Sequence, residues 1–195
     1  GAKGIGALLI TGRENIRYLT GFTGSSGCVI VAGARLLLVT DFRYEIQAQK
    51  EAPAATLVIQ RRDLVTTVSD AAKRIGARTL WFDEASLTFD RIRGLRKQGL
   101  RMQGAKDPVA ELRQRKDAGE LSRVRTAIGR AEASFRALRR SLRAGITERE
   151  AALRLEWLMR ERGARQAAFD IIVASGANGA MPHASASSRR LRTGD

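Results

Sequence analysis

The sequence is poor in histidine, cysteine, proline and aromatic side chains. Its 195 residues include one histidine, one cysteine and three prolines, and only 5% are aromatic. The lone cysteine, Cys28, excludes an internal disulfide framework and fits a reducing, cytoplasmic compartment. It sits in the apolar run Cys28-Val-Ile-Val, where a small buried thiol is expected rather than a nucleophile. His183 lies 155 positions away and the chain has no H-x-x-x-H or C-x-x-C, so no histidine–cysteine metal site is read. A site made only of Asp and Glu oxygens stays open, although no paired carboxylates stand out on a strand. The scarcity of aromatics leaves no stacking platform for single-stranded nucleic acid. No apolar run reaches the roughly eighteen residues of a membrane span. The opening Gly1-Ala-Lys-Gly-Ile-Gly-Ala-Leu-Leu-Ile10 is too short in its apolar part for a signal peptide and reads as a first strand.

Positive charge, by contrast, is plentiful. Thirty-five Lys and Arg against twenty Asp and Glu give a formal charge of +15. A basic protein raises the question of nucleic acid, but the charge is not gathered into a tail. Seventeen basic and nine acidic residues lie before Asp107, eighteen and eleven from there on. Many arginines alternate with glutamates, as in Glu148-Arg-Glu150 and Glu161-Arg162, which reads as solvated helix surface.

Two segments follow different patterns. Up to residue 104, short apolar strands alternate with helices: 7–11, 28–32, 35–40, 56–60, 78–82 and 100–103 read as strands, with Gly33-Ala34 turning a hairpin. Helices are expected over 42–50, from Asp63 to residue 75, and over 86–98, while 15–27 reads as turn-rich. Gly104-Ala-Lys-Asp-Pro108 marks a boundary, with Asp107 as helix cap and Pro108 in the first helical position. Beyond it, Asp117-x-x-Glu120 and Thr147-x-x-Glu150 are capping boxes for two helices. Leu121, Val124, Ile128, Ala131, Phe135, Leu138 and Leu142 recur at three-four spacing, so one stripe is expected against a core. A strand is expected over 169–174.

Few motifs carry chemistry. Gly21-x-x-Gly24-x-x-Gly27 has the wrong spacing for a dinucleotide loop and leads into a strand rather than a helix. Ser25 and Ser26 lack the flanks of a nucleophile elbow. His183 remains, at the end of an apolar stretch and a glycine-rich turn, Phe169-Asp-Ile-Ile-Val-Ala-Ser-Gly-Ala-Asn-Gly-Ala-Met-Pro-His183. Imidazole is the side chain that changes charge nearest neutral pH. A histidine after proline is also ordinary in loops, so the residues alone name a candidate without partners.

Three stretches together resemble the creatinase-like, pita-bread metallopeptidases of the Xaa-Pro aminopeptidase and Xaa-Pro dipeptidase type. Asn15-Ile-Arg-Tyr-Leu-Thr-Gly-Phe-Thr-Gly-Ser-Ser-Gly27, with Thr40-Asp-Phe-Arg-Tyr44, is similar to the creatinase-type N-terminal domain. Glu111-Leu-Arg, Lys116, Glu120-Leu121 and Gly145-Ile-Thr-Glu148 resemble the helices that open the catalytic domain. The stretch ending in His183, with Gly194-Asp195 after it, resembles the first inner strand and an active-site histidine. The resemblance implies an α/β creatinase-type domain over 1–104, then the first part of an α+β pita-bread catalytic domain over 107–195. It implies hydrolysis of the bond between an N-terminal residue and proline, on peptides with proline in the second position, by a homodimer. Two divalent metal ions (manganese, cobalt or zinc) are implied for the full-length enzyme, with two Asp, one His and two Glu as ligands. Those ligands lie after the Gly-Asp at which this sequence stops, so this chain is expected to bind no metal and to be inactive alone. His183 is implied to orient substrate through hydrogen bonds, not to ligate metal. Two alternatives stay open: a non-catalytic pita-bread module engaging an acidic protein or nucleic acid, and another reaction on the same fold, as in creatinase.

Overall fold

The apolar run that opens the chain becomes β1 (Ile5–Ile10), and from Ala7 to Ile10 its side chains alternate between two cores. The structure, a computed structural model, describes residues 5–195; the first four residues of the expected first strand lie outside the described residues. α1 (Arg13–Thr20) follows, then β2 (Cys28–Ala32) and β3 (Arg35–Asp41) as the expected hairpin, with Ala32 opposite Arg35. A 3₁₀ turn at Phe42–Tyr44 and α2 (Glu45–Glu51) lead to β4 (Thr56–Gln60). α3 (Leu64–Arg74), β5 (Ala77–Asp83), α4 (Phe89–Lys97) and β6 (Arg101–Ala105) complete a six-stranded sheet of order β4-β3-β2-β1-β5-β6. β1, β2 and β3 are antiparallel, and β4, β5 and β6 join as parallel strands.

Helices cover both faces, which is why these strands read as apolar runs rather than as alternating patterns. Ala7, Leu9, Cys28, Ile30, Leu37 and Val39 pack with Val68, Ala72 and Leu95 on one side. Their sequence neighbours Leu8, Ile10, Val29 and Leu38 pack on the other with Ile16, Phe22, Ala48 and Val109. A strand's side chains point alternately to opposite faces, so each residue step exchanges one core for the other. Cys28 is fully buried in the first core, and burial pushes its thiol up to about 12, as an inert core residue requires.

Several expected local features change. The stretch read as turn-rich is helical in its first part, because α1 seats Ile16 in the second core. Gly21 ends that helix at φ 82°, and a Cβ there would stand 2.8 Å from the Glu51 carbonyl oxygen. The helix expected from residue 86 starts at Phe89, since Thr88 caps it and Ser86 is held by Asp83 and Thr11. Asp107 does not cap a helix begun by Pro108. Its Oδ1 accepts from the Val109 N–H and from Asn15 Nδ2, both at 2.9 Å, while α5 (Ala110–Gln114) begins after the buried Val109. The two compact units divide between Arg115 and Lys116, and residues 107–115 go with the first.

The second unit contains α6 (Ala118–Ser141) and α7 (Glu148–Glu161), each opened by a complete capping box, Asp117 with Glu120 and Thr147 with Glu150. The stripe on α6 is not sealed against a core. Ser134 and Leu138 are buried, but Leu121, Val124, Ile128, Phe135 and Leu142 are 40–55% exposed. Residues 169–174 do not form a strand: a strand requires a ladder partner, and among the described residues none pairs with this segment. A five-residue 3₁₀ turn, Gly176–Ala180, follows it. Among the described residues no helix is long and apolar enough to cross a membrane.

Candidate active-site loop

His183 stands on the loop that follows this 3₁₀ turn, and the loop is held by the start of α7. The first N–H groups of a helix have no partner within it. In α7 the N–H of Glu148 donates to the Arg189 carbonyl at 3.0 Å and that of Arg149 to the Ser187 carbonyl at 3.0 Å. Gly145 N–H donates to Leu191 O and Leu191 N–H to Ile146 O, so 187–191 runs antiparallel along 145–149. The returning strand of the loop is thereby fixed to the helix entry.

The side chain of Glu148 holds both ends of the loop. Its carboxylate has no exposed surface. Oε1 accepts from the Ser175 N–H at 2.7 Å and the Ser175 hydroxyl at 2.8 Å. Oε2 accepts from the Ser187 hydroxyl at 2.6 Å and the Ser187 N–H at 3.1 Å. Asn178 Nδ2 lies 3.2 Å from both oxygens. These donors, the Ser187 hydroxyl first and then that of Ser175, hold the carboxyl down at about 2 against the opposing effect of burial.

The proton inventory agrees with an anion. A hydroxyl has one proton to give and two lone pairs to accept with. Ser187 gives its proton to Glu148 and accepts from the Arg189 N–H at 3.1 Å. Ser175 gives its proton to Glu148 and accepts from the Arg189 guanidinium. That guanidinium also forms a two-pronged pair with Asp195, at 2.7 and 3.0 Å, which raises the arginine and lowers the aspartate. Gly176 is required beside it: φ is 52°, and the Arg189 guanidinium fills the space a Cβ would take.

His183 itself is exposed, in a turn closed by the Ala184 N–H donating to Met181 O at 3.2 Å. It lines an open groove of about 600 Å³ with Phe169, Asp170, Ile171, Ile172, Pro182 and Ser185. An imidazole on a groove of mixed apolar and polar lining is suited to hydrogen-bonding a peptide whose side chains rest on the apolar part. A metal pair does not fit the residues described. Among them no three or more His, Cys, Asp or Glu side chains come together as ligands. Cys28 is sealed in the first unit's core, and Glu148 is saturated by five donor groups.

Comparison with known proteins places these features. Residues 1–115 match the profile of the Creatinase/Prolidase N-terminal domain. The chain belongs to the creatinase/prolidase family. Residues 122–195, which carry Glu148 and His183, match that of metallopeptidase family M24. The chain is similar over its whole length, at 32% identity, to a Bacillus subtilis protein named uncharacterized peptidase YqhT, of which it covers 56%. Among solved structures, an Xaa-Pro dipeptidase from Bacillus anthracis superposes with a TM-score of 0.92 at 32% identity, over 97% of this chain and 54% of that one. An X-Pro aminopeptidase from Thermotoga maritima gives 0.87 at 32% identity, over 96% of this chain and 55% of that one. The chain therefore spans about half the length of these relatives: a creatinase-type N-terminal domain, then the start of a pita-bread catalytic domain.

Glu148, read from the sequence as part of a solvated helix surface, is buried instead. The signal is faint but present. Glu150 already completes the box with Thr147, so Glu148 is a second acid in the same helical turn with no local partner. Its partners, Ser175 and Ser187, lie 27 and 39 positions away.

Proposed function

We propose that the protein works as a cytoplasmic Xaa-Pro peptidase, aminopeptidase or dipeptidase in type. In this reading His183 donates a hydrogen bond to the substrate carbonyl and to the oxyanion that develops from it. Preorganised donors aimed at developing charge are among the strongest contributors to such catalysis. The observation that carries the reading is the exposed His183 imidazole on the groove, within the segment that matches family M24. The apolar side chains of Phe169, Ile171 and Ile172 in the lining of the groove suit a peptide carrying a proline ring. The described residues form no metal-ligand cluster, and the 195-residue chain alone is expected to be inactive.

The test is a chimera in which residues 1–195 replace the corresponding part of the Bacillus anthracis Xaa-Pro dipeptidase. With manganese added, it should release proline from an X-Pro dipeptide, or the N-terminal residue from an X-Pro-started peptide. His183→Ala should lower kcat by about 10²–10³-fold, the size of losing one oxyanion donor, at unchanged metal content. Loss of bound metal in that variant would make His183 a ligand and overturn its role. Turnover by the 195-residue chain alone would overturn the expectation that it is inactive.

A further inference from the structure

Three features of the molecule lie outside the function proposed above: the bare stripe on α6, the exposed pair Phe42 and Ile46 beside Tyr44, and the buried carboxylate of Glu148. Nothing in the structure identifies what covers the first two. The third has definite partners and a definite consequence.

We propose that Glu148 is the positioning residue for His183. One carboxylate ties the two ends of the 175–187 loop to the first turn of α7, and the imidazole is carried between the tied ends. The proposal rests on the reading of His183 as the substrate-facing donor.

The geometry supports positioning rather than ordinary helix stabilisation. The capping of α7 is already complete without Glu148, because Thr147 and Glu150 satisfy each other's backbone N–H groups at 3.1 and 2.7 Å. The Glu148 carboxylate bonds reach away from its own helix. They go to Ser175 and Asn178 before His183 and to Ser187 after it. Both carboxylate oxygens are used, one for each end of the loop. The exposed loop has little apolar burial of its own, with Ala184 the buried hydrophobic side chain between the two serines. Its shape is therefore set mainly by these polar ties. Buried carboxylates that accept several bonds from one segment restrict it strongly, since releasing any donor leaves a desolvated polar group behind.

His183 is the sole histidine, so its ring gives one unambiguous pair of carbon–proton correlations in an NMR spectrum of the full 195-residue chain. Glu148→Gln keeps the shape but presents an amide N–H₂ to donors that need an acceptor. The expected result is amide exchange at Ser175 and Ser187 about tenfold or more faster, together with a shifted and broadened His183 ring signal. Glu150→Gln weakens the same helix start without touching the loop, and should leave the ring signal in place. If Glu148→Gln unfolds the second unit, Ser187→Ala, which removes one hydroxyl donor, should move the His183 signal while the α7 amides stay protected. An unchanged ring signal and unchanged exchange at Ser175 and Ser187 in Glu148→Gln would overturn the proposal. So would an equal displacement in Glu150→Gln, which would reduce Glu148 to a general helix stabiliser. The readout needs no catalysis, so a chimera inactive on X-Pro peptides would sink the proposed function and leave the clamp standing.

Discussion

The first unit is held by apolar burial and the second by polar ties. Up to Arg115, a sheet covered on both faces seals two cores, and Cys28, Val29, Ile30, Leu38 and Leu80 have no exposed surface. From Lys116 on, the buried groups are fewer and more polar: Ser134, Glu148 and Ser175 beside Leu138, Ala151, Leu158 and Ala184. Apolar packing is non-directional and tolerates small displacements, whereas a carboxylate with five donors has one geometry. The stable scaffold and the loop carrying the candidate site therefore answer to different perturbations.

The largest expected contrast comes from truncating leucine and isoleucine side chains. Leu80→Ala in the first core should cost about 2–5 kcal/mol, the range for a fully buried aliphatic. Ile128→Ala on the exposed stripe of α6 should stay within about 0.5 kcal/mol. Urea unfolding followed by circular dichroism measures both, and a large cost at Ile128 would mean that the stripe is covered in solution.

Acid should separate the units next. Glu148 is held at about 2, below the 4.5 of a free glutamate, so its contribution to stability is complete above about 4.5 and fades as pH falls towards about 2. The charged group facing it is Arg189, which stays protonated throughout that window and whose guanidinium holds the Asp195 carboxyl below the usual carboxylate range. Amide protection at Ser175 and Ser187 should disappear over that range before protection at Ile30 and Leu38 in the sheet. Simultaneous loss would break the distinction drawn between the two units.

Smaller effects test local features. Asp117→Ala and Thr147→Ala each remove one half of a capping box and should cost about 1 kcal/mol. Thermal melting of the second unit reads that change. Arg136→Ala breaks a solvent-exposed pair with Glu132 at 3.4 Å and should change stability by less than about 0.5 kcal/mol.

The parts legible in sequence are those with short-range causes. The β2–β3 hairpin around Gly33, the cap at Asp63 and both capping boxes depend on residues a few positions apart, and all are present. His183 stands out as a candidate by the rarity of a lone imidazole after a glycine-rich turn, and the structure places it on an exposed turn. Elements that depend on distant partners were harder. Residues 169–174 carry strand-forming side chains, but a strand also needs a neighbour to bond with. α1 was obscured by the glycines that follow it, although Ile16 needed a helical turn to reach its core.

By itself, the sequence determined the sheet-and-helix alternation of the first unit, the two capped helices of the second and the identity of its one imidazole. These follow from residue type and spacing along the chain. Only the tertiary structure decided that Glu148 is buried, that Ser175 and Ser187 meet on it, and that most of the α6 stripe is uncovered. Those outcomes depend on which distant segments return to the same place. A carboxylate in a helical turn reads as surface until the fold brings its donors to it.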